Sequence, residues 1–497
     1  MGIEIEDKFD VKPDYEVPDL SGLAEVVGPK SHQLVALYYD TPDLRLAARG
    51  VTLRRRRGGS DPGWHLKLPK AKGVRQEITR PLTRSIRTVP EELAELVRAY
   101  TRGADLQAVA ELDTRRTVTL LVDGGTRLAE VADDRVKGTI LGPEGPEGPE
   151  PHVERWREVE VELLDGTANF HQRVGKRLRK AGAKPSKAAS KLGRLLQAPP
   201  PERAETADGT AGQVVLDYLQ SQVDALLSQD PRVRQAEDDA VHQMRVASRR
   251  LRSALKAFKT VVTDTVPLQE ELKWLGGVLG EARDLEVIRA RFGRHLDTLE
   301  PELVTGPIQD RLGRDLHERE QEAYARIKDV LSGERYYALL NSLDALVAEP
   351  ALRKPAGKPA QATLTGVAAA NWARVTKAYD IAQAIEEEDE REIAMHDVRK
   401  AAKRARYTAE ALRPALGKPM GRLAKHAEAV QEVLGFHQDG VVAQETLAKE
   451  AESAREAGED TFTYGLLIGM ERAVAERAHL EFPRVWAETV EAVRKVV

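Results

Sequence analysis

The sequence predicts an α+β protein of two parts, an antiparallel β barrel with flanking helices followed by an all-α domain that contains a duplication. Short segments of alternating apolar and polar residues, separated by turn residues, occur up to about residue 193 and are typical of antiparallel strands. Long segments with the apolar period of an amphipathic helix follow as far as residue 497. Within them one pattern of basic residues occurs twice, which predicts two copies of one helical unit.

The composition limits the possible functions. A chain of 497 residues is too long for one compact core, and its 31% charged and 41% hydrophobic residues are typical of soluble globular proteins. Because cysteine is absent, a disulfide framework, a thiolate metal site and a cysteine nucleophile are excluded. The formal net charge is −4, so any polyanion must be recognised by local clusters of basic residues. The acidic start, MGIEIEDKF, and the lack of a run of about 18 apolar residues predict a cytoplasmic protein.

Two segments rich in proline and glycine interrupt these patterns. The repeat GPEGPEGPEP at 142–151 fits neither helix nor strand, so we expect a flexible loop between strands. The segment APPPERAETADGTAG at 198–212 separates the strand-rich part from the helical part and is the expected linker. The predicted domains are therefore 1–197 and 213–497, and the repeat copies of the second domain are about 213–350 and 363–497.

Acidic residues alternate along two predicted strands. Because side chains at positions i, i+2 and i+4 of a strand share a face, Glu4, Glu6 and Lys8 lie together. The later strand from Glu158 to Glu162 directs three carboxylates to one face and its two valines to the other. Taken alone, alternating charges are also typical of the solvent face of an antiparallel sheet.

Other predicted strands carry basic residues on one face. Arg54 and Arg56 share a face, and Lys67 lies opposite an apolar face on the next strand. Two further same-face pairs are Arg75 with Glu77, and Glu130 with Asp134. Several like charges on one strand are tolerated only where opposite charges or cations neutralise them. A barrel with a charged interior and an apolar exterior covered by helices meets this requirement.

These elements, in this order, resemble the CYTH superfamily, also called triphosphate tunnel metalloenzymes. The start EIEDK matches the family's ExExK signature, and YYDT, LRRR, WHLK, EVEVELLDG and Ser190-Lys191-Leu192 follow in the family's order. The resemblance covers about residues 1–197. It implies an eight-stranded antiparallel tunnel that binds a triphosphate with basic residues and Mg²⁺ or Mn²⁺ with glutamates.

The resemblance also implies a role for each matching residue. Glutamates without a histidine or cysteine beside them suit Mg²⁺ or Mn²⁺ better than Zn²⁺, and basic side chains bind phosphate oxygens. The implied metal ligands are Glu4, Glu6, Glu160 and Glu162, and the implied catalytic residues are Lys8, Glu4 and Glu6. The implied triphosphate ligands are Lys8, Arg54, Arg56, Lys67, Arg116 and Lys191. Three alternatives stay open: Glu158 with Glu160 as the metal pair, Arg115 for Arg116, and Lys187 for Lys191.

The helical half carries a basic stripe in each copy. At about 100° per residue, five side chains of a helix beginning near Val241 fall within an arc of about 80°. They are His242, Arg245, Arg249, Arg252 and Lys256, and the second copy repeats the arc with His396, Arg399, Lys403 and Arg406. Solvated helices usually mix charge signs, whereas a stripe of one sign costs repulsion. A plain solvated face, and histidines with only a structural role, remain the alternatives.

A second motif is duplicated downstream of each stripe. The residues Leu279, Gly280 and Asp284 return as Leu434, Gly435 and Asp439, while Arg283 has no exact partner. Two matches at nearly one offset predict copies packed about a pseudo-twofold axis. The HxxR and LGxxRD elements resemble the CHAD (conserved histidine α-helical) domain over about residues 213–497. That resemblance implies two four-helix bundles around a basic surface that binds inorganic polyphosphate.

These features together predict a metal-dependent inorganic triphosphatase whose helical domain binds polyphosphate. The alternatives are a polyphosphate-binding module without catalysis, or a tunnel enzyme that acts on ATP, as class IV adenylyl cyclases do, or on thiamine triphosphate. No GxxxxGKS/T loop occurs, which argues against P-loop nucleotide hydrolysis. The expected partners are inorganic triphosphate and polyphosphate, with no sequence-specific nucleic acid and no membrane. The expected location is the cytoplasm, in association with polyphosphate granules.

Overall fold

The structure is a computed structural model that describes residues 2–71, 74–142, 152–188 and 190–495. The residues up to Glu202 form one compact unit, and those from Arg203 onward form a second. The loop predicted at 142–151 lies, apart from its first residue, outside the described residues. No helix among the described residues is both long enough and apolar enough to span a membrane.

The first unit is a closed antiparallel barrel, as predicted. Eight strands follow one another around it in the order β5-β4-β3-β2-β6-β7-β8-β1, and pairing of β1 with β5 closes the ring. A two-residue strand, β9, is added to β1. The strands are β1 (Gly2–Asp10), β2 (Glu25–Asp40), β3 (Thr52–Arg57), β4 (Gly63–Ala71), β5 (Val74–Arg80), β6 (Gln107–Asp123), β7 (Thr126–Ile140), β8 (Val153–Leu163) and β9 (Lys184–Pro185).

Short helices flank the barrel and explain the alternation along its strands. They are α1 (Arg45–Ala48), α2 (Glu91–Leu96), α3 (Arg98–Thr101), α4 (Ala168–Lys180) and α5 (Lys191–Leu196). The valines of β8, Val159 and Val161, belong to one buried apolar cluster with Phe170 and Val174 of α4. Since neighbouring residues of a strand point to opposite faces, the glutamates of β8 therefore point into the barrel.

Helix α5 fills one end of the barrel interior with apolar side chains. Its Leu192 and Leu195 form a buried cluster with inward residues of the strands, including Tyr38 and Trp156. Packing is so close that a Cβ atom added at Gly138 would lie 2.9 Å from Leu195. The hydroxyl of Ser190 accepts a hydrogen bond from the Gly193 amide at 2.9 Å, so it caps the helix at the residue before Lys191.

The second unit is all-helical, as predicted. Its α-helices are α6 (Ala211–Arg234), α7 (Ala240–Ala257), α8 (Val266–Thr298), α9 (Leu316–Leu331), α10 (Glu334–Ala348), α11 (Ala360–Gln383), α12 (Glu388–Leu416), α13 (Lys418–Glu456) and α14 (Phe462–Val493). Helices α6 to α9 pack in succession, and helices α11 to α14 pack in the same succession. The two basic stripes lie on α7 and α12, and these helices contact each other.

A buried ion pair joins α8 and α14, which belong to different copies. Glu471 on α14 is fully buried and accepts hydrogen bonds from Arg291 at 2.5 and 2.6 Å and from His295 at 2.9 Å, both on α8. Removing one partner of such a buried pair typically costs about 3–5 kcal/mol, because the other charge is left without compensation. This contact therefore holds α8 and α14 in a defined arrangement.

Candidate functional sites: a charged tunnel and a basic seam

The barrel encloses a cavity of about 240 Å³ lined by charged side chains of opposite sign. The acidic wall consists of Glu6, Glu130, Glu160 and Glu162, which come from the neighbouring strands β1, β7 and β8. The basic wall consists of Arg54, Arg56 and Lys67, which come from β3 and β4. Because β3 and β4 lie across the ring from β8, the two walls face each other.

Glu160 is the most heavily paired carboxylate of the acidic wall. It forms ion pairs with Lys8, with Arg116 at 2.5 Å and with Lys191 at 2.6 Å. Burial by itself raises a carboxyl pKa, but Lys191, Lys8 and Arg116 together hold the pKa of Glu160 well below its ordinary range. Lys8 also contacts Glu6 at 3.0 Å, so one ammonium group links the carboxylates of β1 and β8.

Three carboxylates at the α5 end of the cavity are close enough to share a cation. Oxygens of Asp134, Glu158 and Glu160 lie within 4.8 Å of one another, as a metal ion requires. The ammonium of Lys191 contacts all three of them, at 2.9, 2.8 and 2.6 Å respectively. Arg116 adds a bidentate contact to Asp134 at 2.9 and 2.7 Å. Protein cations therefore already balance the charge of this cluster.

Arg54 is the least paired cation of the basic wall. Among the described residues, Arg54 forms no ion pair, and its guanidinium donates to the hydroxyl of Tyr38 at 3.4 Å. Arg56 pairs with Asp61 at the rim, and Lys67 lies 3.7 Å from Glu77. Burial raises the pKa of Glu77, but the hydrogen bond from His65 and the charges of Lys67 and Arg54 outweigh it and lower the pKa to about 2. Glu77 is thus an anion throughout the physiological pH range.

The structure brings the implied tunnel residues together. The cavity is lined by Glu6, Lys8, Arg54, Arg56, Lys67, Arg116, Glu160, Glu162 and Lys191. Glu4 lies on β1 at the position paired with Arg75, and its side chain lies outside the described residues. Of the alternative residues, Arg115 and Lys187 are exposed and do not line the cavity, whereas Glu158 is buried beside Lys191.

Sequence reasoning did not assign a role to several residues of the tunnel. Arg75 lies 3.8 Å from Glu6, and Asp134 is fully buried between Arg116 and Lys191. The signal was present, because Arg75 shares a strand face with Glu77 and Asp134 shares one with Glu130. Only the pairing of the strands reveals that these faces point inward.

In the second unit, the contact between α7 and α12 creates a basic seam, formed by Arg245, Arg249, Arg399 and Lys403. Burial, and the charges of Arg249, Arg399 and Arg245, lower the pKa of Lys403 to about 8. Burial and the neighbouring charges of Arg245 and Arg399 also lower the pKa of Arg249, although Tyr407 partly opposes them. The seam thus concentrates cations from both copies, at an electrostatic cost that a bound anion would relieve.

The second duplicated motif supports the seam on both sides. Asp284 pairs with Arg245 at 2.9 Å, and Asp439 pairs with Arg399 at 3.6 Å. A Cβ atom added at Gly280 would lie 3.5 Å from the guanidinium of Arg245. At Gly435 the corresponding distance to Arg399 would be 3.2 Å. In both copies the arginine that the aspartate contacts therefore lies beside the motif glycine, and the approach is tighter at Gly435.

The remaining stripe residues do not all join the seam. Arg406 pairs with Glu410 at 2.7 Å and with Glu428 at 2.8 Å. Arg252 and Lys256 lie near Arg404, since burial and these two arginines lower the pKa of Lys256. Arg404 was not included in the predicted stripe, because the helical wheel of α12 alone does not show which side faces α7.

The two histidines border the seam. The Nδ1 atom of His396 lies 3.2 Å from Oε1 of Gln438, which occupies the position of Arg283 in the second copy. Burial and the charge of Arg283 lower the pKa of His242, and burial and the charge of Lys400 lower the pKa of His396. Both are therefore predominantly neutral at pH 7.

Two family models match consecutive parts of the chain. The CYTH domain model matches residues 2–195, and the CHAD domain model matches residues 217–448. The uncharacterized protein Rv2226 of Mycobacterium tuberculosis is 39% identical over 509 residues, which covers 99% of this chain and 97% of that protein.

Two solved structures resemble parts of the chain. PptA from Streptomyces chartreusis has a TM-score of 0.46 and 22% identity, covering 56% of this chain and 99% of its own. The CHAD domain from the plant Ricinus communis has a TM-score of 0.44 and 25% identity, and the match covers 57% of this chain and 93% of that domain's chain. The two family models and the full-length relative lead to one conclusion: the chain belongs to the proteins in which a CYTH domain is followed by a CHAD domain.

Proposed function

We propose that the tunnel hydrolyses inorganic triphosphate with the help of Mg²⁺ or Mn²⁺, and that the helical unit binds inorganic polyphosphate. The observation that carries the first part is the opposition of the acidic and basic walls across one enclosed cavity. A triphosphate is a chain of anionic groups, so it needs cations along its length and at the scissile phosphoryl group.

The basic wall supplies fixed cations for the phosphate oxygens. Arg54 is the main candidate, because it forms no close ion pair among the described residues and its guanidinium donates to Tyr38. Arg56 and Lys67 flank it, and Arg116 approaches from β6. Arginine forks bind phosphate oxygens in a bidentate manner, whereas lysine supplies a compact charge. These side chains would hold the triphosphate in a defined orientation across the tunnel.

The acidic wall fits a hard divalent cation. The donors that face the cavity are carboxylate oxygens without sulfur ligands, which suits Mg²⁺ or Mn²⁺. We assign the metal to Glu4, Glu6, Glu160 and Glu162, because these glutamates lie on the neighbouring strands β1 and β8 and the last three of them line the cavity, whereas Glu158 does not. When bound, the cation supplies a Lewis acid toward phosphoryl oxygens. Lys8 would keep Glu6 and Glu160 at the correct separation, because it contacts both.

The substrate class is tested by measuring phosphate release from tripolyphosphate, ATP, thiamine triphosphate and long-chain polyphosphate. Each substrate is assayed with Mg²⁺, with Mn²⁺ and with EDTA, using the full-length protein. We expect the highest kcat/KM for tripolyphosphate and no turnover in EDTA, because the cavity offers charge and few aromatic surfaces for a base. Preference for ATP or thiamine triphosphate would contradict the proposed substrate, and turnover in EDTA would contradict the metal role.

For the helical unit, the basic seam supports a polyanion ligand. Four cations from two copies meet at one surface, and among the described residues two carboxylates, Asp284 and Asp439, pair with them. A polymer with one charge per phosphate is held by such a surface through counterion release, without sequence readout. Polyphosphate also matches the chemistry proposed for the tunnel.

Binding of polyphosphate should weaken as the pH rises through about 8. Lys403 is protonated below that pKa and neutral above it, and a polyanion favours the protonated form. The charges that act on Lys403 are those of Arg249, Arg399, Arg245 and Asp439, and the pKa of Lys403 itself lies in this pH range, so we assign the step to the lysine. We expect the affinity to fall roughly tenfold between about pH 7 and about pH 9.5, as for the loss of one charged hydrogen bond. Lys403→Arg should remove the step; a step that persists in this variant would contradict the assignment.

A further inference from the structure

The proposed binding uses the cations of the seam, yet both copies of the second unit also retain an aspartate beside it. Asp284 contacts Arg245 at 2.9 Å, and Asp439 contacts Arg399 at 3.6 Å. Between the motif glycine and the aspartate, the three residues differ completely between the copies, with Glu-Ala-Arg in one and Phe-His-Gln in the other. The geometry that is common to both copies is therefore glycine, arginine and aspartate.

The aspartate in each of these ion pairs can be displaced by another anion. The side chain of Asp284 is 65% exposed and that of Asp439 is 50% exposed, whereas the paired arginines are only 24% and 20% exposed. Exposed carboxylates form weak ion pairs, because water competes with the partner and side-chain entropy is lost. Each arginine side chain is mostly buried and lies beside its motif glycine, so the aspartate is one of several contacts around it.

A carboxylate at the edge of a guanidinium occupies a position that a phosphate oxygen can also occupy. We propose that Asp284 and Asp439 are resident anions that occupy Arg245 and Arg399 in the absence of ligand and are displaced by the phosphates of the polymer. This inference rests on the proposed polyphosphate binding and specifies its regulation. The aspartates then select against short anions, because a ligand must make several contacts to offset the loss of two ion pairs.

We expect two linked changes in the variant in which both aspartates are replaced by asparagine. Affinity for long-chain polyphosphate should rise about threefold for each single change and about tenfold for both, as for the loss of two weak surface pairs. The plot of log affinity against log salt should become steeper by roughly 0.7–0.9 per site, because each freed arginine now carries a counterion that binding releases. A purely structural role of the aspartates would not steepen this dependence.

The test is a binding titration of full-length wild type, Asp284→Asn, Asp439→Asn and the double variant at salt concentrations from about 50 to about 200 mM. The matched control is Asp297→Asn with Glu445→Gln, which removes two exposed carboxylates from the same helices, α8 and α13. The control should leave both affinity and salt slope close to wild type. Unfolding temperatures of all variants establish that each is folded.

Each outcome decides the inference. Tighter binding with a steeper salt slope in the double variant, and not in the control, supports resident anions. Equal or weaker binding with an unchanged slope overturns the inference, because the aspartates then serve to position the arginines. If neither wild type nor any variant binds long-chain polyphosphate, the proposed binding function itself fails, and this inference fails with it.

Discussion

Replacing Glu6 by glutamine is expected to abolish metal-dependent hydrolysis of tripolyphosphate while the barrel stays folded. The substitution removes an anionic oxygen from the acidic wall, and the amide that replaces it still accepts the hydrogen bond from Lys8. Changes to groups that merely orient metal ligands cost about 10- to 100-fold, so loss of a ligand should reduce kcat by more than about a hundredfold. Steady-state kinetics at saturating Mn²⁺, with calorimetric measurement of metal affinity, check this prediction.

The matched control for this variant is Asp7→Asn on the same strand. Asp7 is the neighbour of Glu6 and therefore points to the opposite face, where its carboxylate is half exposed and lies 3.8 Å from His171. The Asp7→Asn substitution removes the same charge as Glu6→Gln but lies outside the tunnel, so kcat and metal affinity should match wild type. If Glu6→Gln retains more than a tenth of the wild-type activity, Glu6 is not a metal ligand and the acidic wall has another role.

Reversal of the four seam charges is expected to eliminate binding of long-chain polyphosphate. The variant changes Arg245, Arg249, Arg399 and Lys403 to glutamate, which places four carboxylates where the cations of α7 and α12 meet. Each phosphate contact adds roughly 0.7–0.9 to the slope of log affinity against log salt. Loss of several contacts should therefore cost orders of magnitude in affinity at about 100 mM salt. Fluorescence titration with a labelled long-chain polyphosphate measures the effect.

A variant with the same change in net charge separates the seam from the general charge of the protein. Lys328, Lys377, Lys449 and Arg477 are exposed residues on α9, α11, α13 and α14, and their replacement by glutamate is the control. It should weaken binding by less than about tenfold, because screening limits the reach of exposed charges to about 10 Å. Equal losses of affinity in the two variants would mean that polyphosphate binding depends on the net charge of the protein alone.

The two substitution sets also test whether the units act separately. Glu6→Gln should leave polyphosphate binding unchanged, and reversal of the seam should leave tripolyphosphate hydrolysis unchanged, since the residues belong to different compact units. The full-length protein is used for both measurements. A loss of both activities in either variant would indicate coupling between hydrolysis and binding.

Local periodicity was enough to predict the class of each half and the face on which most tunnel residues lie. The alternation of Glu4, Glu6 and Lys8, and of Glu158, Glu160 and Glu162, follows from the period of a strand. The duplicated HxxR and LGxxRD elements predicted two helical copies in the same way, because helical period and repeat offset are properties of the sequence alone.

Tertiary structure alone decided which of these faces meet. Closure of the ring sets β8 across from β3 and β4, so the acidic and basic walls oppose each other. The insertion of Lys191 between Asp134 and Glu158 depends on the position of α5 at the end of the barrel. The physical reason is that periodicity is encoded over a few neighbouring residues, whereas these contacts join segments far apart in sequence.

The same distinction between what the sequence determines and what tertiary structure decides applies to the helical unit. The sequence by itself determined that α7 and α12 each carry a basic stripe, because the spacing of the charges matches the helical turn. It could not determine that Arg249 of α7 would lie near Lys403 of α12, or that Arg404 would lie near Arg252. Those outcomes depend on the angle at which the two copies pack, which is set by the apolar surfaces buried between helices and not by the charges themselves.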